Sequence, residues 1–334
     1  MTERGADPFA GRAAVVTGAS SGIGRATALA LARRGCAVVA VARREERLRE
    51  LAALCQKHEP RSTWIAGDLS ERSFAEGMVE EAGRRLGRLD ILVNNAAQPF
   101  RKPAFELTPD DVERAFRVNF FPCVWSSLAA IPWMLRAGGG AIVNVSSFAS
   151  RVVPTFESVY AATKCAMNGF SEGLRNELVE AGIHVALVHP GPIDTEIWER
   201  GEQPAGYRGP KHPPEIVARA ILDAIETRRD EVYAPRFSPS LLTARLLRAV
   251  APRLLYRGVR RMDPIPREII EAARERARAA RDESEAPAPC PTDSCGAPSR
   301  TCGSMESSGT SSSAATRPNP SARGRRRASS PGST

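Results

Sequence analysis

"AAVVTGASSGIGRATALALARR", residues 13–34, decides how this 334-residue chain is read. Its first five residues form a short, uncharged run ending in three β-branched side chains, the pattern of a strand buried on both faces. Glycines follow at 18, 22 and 24, and from 22 to 34 the apolar positions recur at helical spacing. Gly18, Gly22 and Gly24 permit tight curvature between strand and helix, and let a diphosphate come close to the backbone. Ser20, Ser21 and Ile23 complete the loop, and the helix N-terminus behind it offers free N–H groups and partial positive charge. A glycine pattern alone means little. Between a strand and a helix it reads as a nucleotide-binding loop.

The same alternation continues along the chain. Further strands are expected at "AVVAVA" (37–42), "TWIAG" (63–67), "DILVNN" (90–95), "AIVNVS" (141–146), "HVALVH" (184–189) and "EVYAP" (231–235). Helices are expected at 22–34, 45–57, 71–86, 109–136 and 159–181. Strands that alternate with helices imply an α/β fold, a Rossmann-like doubly wound parallel sheet of about seven strands with helices on both faces. The uncharged run "FFPCVWSSLAAIPWML" (120–135) contains Pro122 and Pro132 and is shorter than a comfortable membrane span. It reads as a buried helix, with a subunit interface as one use.

About twenty residues after the glycine loop, an NAD site carries an acid for the adenosine 2′-hydroxyl. Here the second strand ends in "AVARRE", with Arg43 and Arg44 in that place. A guanidinium forks onto a 2′-phosphate, which a carboxylate would repel, so NADP(H) is the preferred cofactor and NAD(H) the alternative. The plainer reading makes both arginines a solvated helix start paired with Glu45 and Glu46.

"SVYAATKCAMNGF" (158–170) places Tyr160 and Lys164 four residues apart, on one helix face. The chain has only four tyrosines and four lysines; nearly every other cation is an arginine. Free tyrosine titrates at about pH 10, too high for proton transfer near neutrality, and an adjacent ammonium is expected to lower that value. A compact ammonium also suits ribose hydroxyls better than a wide planar fork does.

With "VTGASSGIG", "LVNNAA", "IVNVSS", "YAATK" and "HPGPIDT" in this order, the sequence resembles the short-chain dehydrogenase/reductase family, in its short single-domain branch, over about residues 11–235. The resemblance implies a seven-stranded Rossmann-like sheet, usually in homodimers or homotetramers. It implies an NAD(P)-dependent oxidoreductase acting on CH–OH and C=O groups, with hydride passing on the 4-pro-S side. Tyr160 would be the acid/base, Lys164 would tune it and hold the nicotinamide ribose, and Ser147 would steady the oxyanion. Asn119 would support a proton-relay water. Asp68 would meet the adenine and Asn94 the adenosine ribose region. Pro190, Gly191, Ile193 and Thr195 would border the nicotinamide. Ala97 and Ser150 stand where the family usually has glycine, and neither removes a reacting group. Independently of the family, each motif directly follows a strand, so all should open on one edge of a parallel sheet.

The segments 98–102, 148–159 and 196–208 should flank the substrate. They hold Phe100, Phe148, Val152, Val153, Phe156, Ile197, Trp198 and Tyr207, which suits an apolar ketone, aldehyde or secondary alcohol. Arg101 and Arg151 keep an acidic substrate open. A non-catalytic NADP(H)-sensing protein on the same fold is the rival reading; it needs only the glycine loop and Arg43. A sugar-nucleotide epimerase or dehydratase also uses the tyrosine–lysine pair, but with a larger C-terminal substrate region.

Residues 1–262 are expected to form the cofactor-binding domain, 263–282 a charged helical segment, and 283–334 a disordered tail without Leu, Ile, Val, Phe, Tyr or Trp. Within the first of these, 236–262 holds seven arginines and no acid, a candidate for peripheral contact with anionic lipid. The net charge of +9 is not gathered into a nucleic-acid footprint, and the "RGRRR" cluster at 323–327 fits a solvated tail. No cysteine spacing resembles a zinc site, and no metal is expected. An N-terminus without an apolar core and scattered cysteines point to a cytoplasmic protein with reduced thiols.

Overall fold

A computed structural model describes residues 7–200, 207–237 and 239–285. Seven strands lie parallel in one sheet: β1 (Ala13–Thr17), β2 (Ala37–Ala42), β3 (Thr63–Ala66), β4 (Ile91–Asn94), β5 (Gly140–Val145), β6 (Ile183–Pro190) and β7 (Glu231–Ala234). Their order is β3-β2-β1-β4-β5-β6-β7. The chain steps outward from β1 to β3, then crosses back to β4 on the other side of β1. That reversal leaves a crevice at the carboxyl ends of β1 and β4, where open α/β sheets take their ligands.

The inner strands read as largely apolar runs because alternate residues feed two separate cores. Ala14 and Val16 belong to the layer of α1 (Gly22–Arg33), α2 (Glu45–Gln56) and α7 (Glu215–Thr227). Val15 belongs to the layer of α3 (Arg72–Leu86), α5 (Phe121–Arg136) and α6 (Ser158–Leu178). In β2, Val38 and Ala40 face the first layer and Val39 and Val41 the second.

The stretch 109–136, expected as one helix, is two. α4 (Pro109–Asn119) opens with a capping box in which Thr108 and Asp111 exchange backbone-to-side-chain hydrogen bonds. It stops at Phe120, because Pro122 has no N–H with which to continue the ladder and is accepted in the first turn of a new helix. The buried helix expected over 120–135 is buried along one face only: Cys123, Ser126, Ala130 and Met134 turn inward, while Phe121, Leu128 and Leu135 are exposed. By length and composition 109–136 is the one described stretch apolar enough to cross a membrane, a property it shares with core helices of this kind.

Residues 236–262 carry two helices, α8 (Pro239–Val250) and α9 (Pro252–Met262), and α10 (Arg267–Glu285) follows. The chain divides into two units, 1–281 and 282–334. The charged segment expected over 263–282 thus belongs to the first unit as far as Arg281, with its helix starting at Arg267. Of the tail expected over 283–334, residues 286–334 lie outside the described residues, as do Cys290, Cys295 and Cys302. Cys36, Cys55, Cys123 and Cys165 are free thiols.

Candidate active site

A cavity of about 910 Å³ opens at the carboxyl edge of the sheet. Gly18, Ser20, Ser21, Gly22 and Ile23 line one end of it, with Arg43 and Asp68 beside them. Ser147, Tyr160 and Lys164 line its middle, and Pro190, Gly191, Ile193 and Thr195 the opposite wall. Gly24, Asn94 and Asn119 do not border it.

The glycine loop is tight for reasons visible atom by atom. Gly18 has φ +66°, and a Cβ on it would lie 2.8 Å from Ala96 Cα and 2.9 Å from Asn95 Nδ2. Gly22, at φ +52°, would press a Cβ to 2.8 Å from the Thr195 methyl. A Cβ on Gly24 would run into the Gly18 carbonyl oxygen, so this third glycine shapes the loop from beneath. Asn95 locks the arrangement by donating from Nδ2 to Thr17 O at 2.9 Å. Its own N–H donates to Thr17 Oγ1 at 2.9 Å. Ser21 precedes α1 in extended conformation and makes no side-chain cap, so the first-turn N–H groups face the cavity end uncapped. This cradle and helix terminus fit a dinucleotide diphosphate.

Arg44 sits over that cradle. Its Nη2 donates to Ser20 Oγ at 3.0 Å and to Ser21 Oγ at 2.8 Å, and its Nη1 to Glu196 at 2.8 Å. Arg47 and Arg200 pair with the same carboxylate, and hydrogen bonds from Arg44 and then Arg47 hold Glu196 down at about 2. Glu45, considered as a partner of these arginines, pairs with Arg49. Arg43 lies against the Gln98 side chain; with that amide turned so that its oxygen faces the guanidinium, the oxygen accepts from the two terminal nitrogens at 2.9 and 3.2 Å. Asp68 is exposed and accepts from Ser70 N at 2.9 Å, capping the turn before α3 as well as bordering the cavity.

Tyr160 and Lys164 share a face of α6, but the pair differs from expectation. Burial, and next the Glu157 carboxylate, push the Tyr160 phenol well above the usual tyrosine range. Ser147 lowers it by hydrogen bonding, and Arg101 by its charge. Lys164 does not set it: its Nζ donates to Val145 O at 2.9 Å and lies 5.9 Å from the centre of the Tyr160 ring. Burial brings Lys164 down to about 8. The physical reason is desolvation, which penalises the charged form of both groups and outweighs their helical spacing. Ser150, where the family usually has glycine, donates from Oγ to Ser147 O at 2.7 Å and helps hold that loop.

Two expected site residues are turned elsewhere. Asn94 is buried and donates from Nδ2 to Asn144 Oδ1 at 2.9 Å, while its Oδ1 accepts from Ser126 at 2.7 Å. Its neighbour Asn95 borders the cavity instead. Asn119 brackets the backbone of Gln98, accepting from Gln98 N at 2.7 Å and donating to Gln98 O at 2.9 Å. The side chain thereby braces one flank of the cavity from behind.

The far end is apolar. Phe148, Val152, Ile197, Trp198 and Tyr207 line it as expected, whereas Phe100, Val153 and Phe156 do not. Sequence reasoning missed Leu241, Leu255 and Met262, with which α8 and α9 close this end. The apolar positions at 241 and 255 in an arginine-rich stretch were the available signal. Neither Arg101 nor Arg151 is free for an acidic substrate. Arg101 donates from Nε to Glu157 at 3.0 Å, and Arg151 donates from Nη2 to Glu231 at 2.8 Å.

The comparisons agree with this architecture. The family model for short chain dehydrogenases matches residues 12–205. The oxidoreductase YxnA of Bacillus subtilis (strain 168) is 37% identical over 251 residues, covering 73% of this chain and 70% of its own. A short-chain dehydrogenase structure from Streptomyces avermitilis has a TM-score of 0.64 at 29% identity, covering 73% of this chain and 94% of its own. Another, from Burkholderia cenocepacia in complex with NADP, has a TM-score of 0.59 at 30% identity, covering 65% of this chain and 91% of its own. A glycine cradle at the switch point of a seven-stranded sheet, with a half-buried tyrosine and a buried lysine facing it, belongs to a known lineage: the chain is a member of the short-chain dehydrogenase family, an NAD(P)-binding oxidoreductase.

Proposed function

We propose that this enzyme is an NADP(H)-dependent reductase of uncharged, apolar ketones or aldehydes, or the corresponding alcohol dehydrogenase, with Tyr160 as its acid/base. The observation that carries the reading is one shared cavity wall: Ser147, Tyr160 and Lys164 border the same space as the glycine loop and Arg43 and Arg44. Bound there, the coenzyme supplies or accepts the hydride. The chain's own residues do the rest. The glycine loop and the α1 terminus receive the diphosphate, and Arg43 and Arg44 favour a 2′-phosphate over a bare hydroxyl. Thr195, Ile193, Gly191 and Pro190 border the nicotinamide side, and Asp68 the adenine side. Tyr160 donates its proton to the substrate oxygen in reduction and recovers it in oxidation, while Ser147 holds that oxygen. With its phenol pushed up, Tyr160 stays protonated near neutrality, which suits it to donating.

The substrate end supports the uncharged class. It is lined by Phe148, Ile197, Trp198, Leu241 and Leu255, and the two arginines that would suit an acid are already paired. The test is NADPH consumption over a panel of apolar aldehydes and ketones, with Tyr160→Phe alongside. Turnover lost in the variant supports the reading; turnover unchanged removes Tyr160 from its role. Tight NADPH binding with no carbonyl turned over would favour the sensor.

A second reading concerns α8 and α9. Leu242, Leu246, Val250, Leu254 and Tyr256 are exposed beside an arginine set that lacks acidic partners on its own segment. That combination suits a peripheral contact with anionic lipid. Flotation with anionic vesicles should fail for Leu242→Ser/Leu246→Ser/Leu254→Ser if the contact exists; no flotation of the unaltered protein ends this reading.

A further inference from the structure

Arg101 is almost entirely buried, at 5% exposed, and borders the cavity with each of its three nitrogens already bonded to the protein. Nε meets Glu157 at 3.0 Å, Nη1 donates to Arg200 O at 3.0 Å, and Nη2 to Ile197 O at 3.5 Å. Its guanidinium lies 5.7 Å from the Trp198 ring centre. One side chain therefore joins three segments that flank the substrate: its own, the lead-in to α6, and the 196–200 turn. The lead-in is strained. Phe156 has φ +65°, an uncommon conformation for a bulky residue, and its carbonyl is held by Lys102 N at 3.0 Å. Glu157 then caps α6, accepting from Ala161 N at 2.8 Å through its own carbonyl, three residues before Tyr160.

We propose that Arg101 is a positioning residue for the reaction: through Glu157 it balances the charge beside Tyr160, and through Ile197 O and Arg200 O it holds the 196–200 turn over the substrate. The first arm rests on Tyr160 as the acid/base; the second does not. A buried carboxylate without Arg101 would leave uncompensated negative charge near the phenol, and a buried guanidinium without Glu157 the reverse. The other charged groups around the pair are Lys164 on α6, Asp263, which bears on Glu157, and Arg200, which is held by Glu196. None of them bridges the three segments as Arg101 does.

Three variants separate the arms. In the pH profile of alcohol oxidation, which needs the phenolate, Arg101→Gln should move the rising limb to higher pH and Glu157→Gln to lower pH, each by about one unit. A residue that merely stabilises the fold would not move the limb in opposite directions for its two partners. Arg101→Lys keeps the charge beside Glu157 but loses the planar fork to the two carbonyls. It should therefore leave the limb in place, raise KM about tenfold with kcat less affected, and speed tryptic cleavage after Arg200. That cleavage is read without substrate or cofactor, so it still judges the second arm if Tyr160→Phe proves fully active and the acid/base reading falls. Shifts of the same sign for Arg101→Gln and Glu157→Gln overturn the first arm. Unchanged KM and unchanged cleavage in Arg101→Lys overturn the second.

Discussion

The two ends of the cleft are made of different material. The glycine-loop end is mainly backbone packed on backbone, with Gly18 against Ala96 and Gly24 beneath Gly18, and with the Thr195 methyl closing on Gly22. The substrate end is walled by side chains, with Leu241 and Leu255 from α8 and α9 lining the same cavity as Trp198 and Phe148. Backbone contacts this close leave no room for change, because nothing can rotate aside. Side-chain walls tolerate substitution and alter shape. The cofactor end should therefore fail abruptly and the substrate end should retune.

The largest contrast is expected at Gly24→Ala, whose added methyl meets the Gly18 carbonyl. Dinucleotide affinity should fall by about a hundredfold in fluorescence titration, since overpacking a rigid site costs on the order of 1–3 kcal/mol. Affinity unchanged would mean that the loop yields, and the contrast would collapse. Arg44→Ala should weaken NADPH by about tenfold to a hundredfold while leaving NADH nearly untouched, as a charged hydrogen-bonding partner is lost from one cofactor only. Equal losses for both would assign Arg44 to the diphosphate. Leu255→Ala should change kcat/KM by about tenfold or less, upward for bulky substrates and downward for small ones, with cofactor affinity constant.

The smallest effect is electrostatic. Burial lowers Lys164 from 10.5 to about 8, so between those values the unfolded chain binds a proton that the folded chain does not. Folding stability should therefore rise as pH climbs from about 8 toward 10.5, relative to Lys164→Met, and show no such gain below about 8. Parallel stability curves for the two proteins would show that Lys164 is not desolvated as its surroundings imply.

Much of this was legible in the sequence, and the exceptions have a common cause. Each of the seven expected strands forms, within a few residues of its expected ends; the inner ones are plain to see because a strand buried on both faces is largely apolar, whereas β3 is half-buried and β7 starts at the exposed Glu231. The glycine loop was legible because positive φ and close approach demand glycine locally. Adjacent residues at a strand end were harder. Asn94 and Asn95 look alike in sequence, yet alternation sends one into a buried polar network and the other to the cavity. Arg43 and Arg44 divide in the same way, one toward Gln98 and the other over the glycine-loop serines.

By itself, the sequence determined the parallel sheet, the helices on its two faces and the place where a dinucleotide loop must lie, since all three follow from local periodicity and backbone demands. It also set Tyr160 and Lys164 on one helix face. Only the tertiary structure decided what those residues experience. Burial, not the neighbouring ammonium, governs the phenol, because desolvation depends on everything packed around it. Tertiary structure alone joined Arg101 to partners 56, 96 and 99 residues away, and brought α8 and α9 back over the cleft. Contacts at that separation leave no periodic trace in a chain; they exist only once the sheet has gathered its loops on one edge.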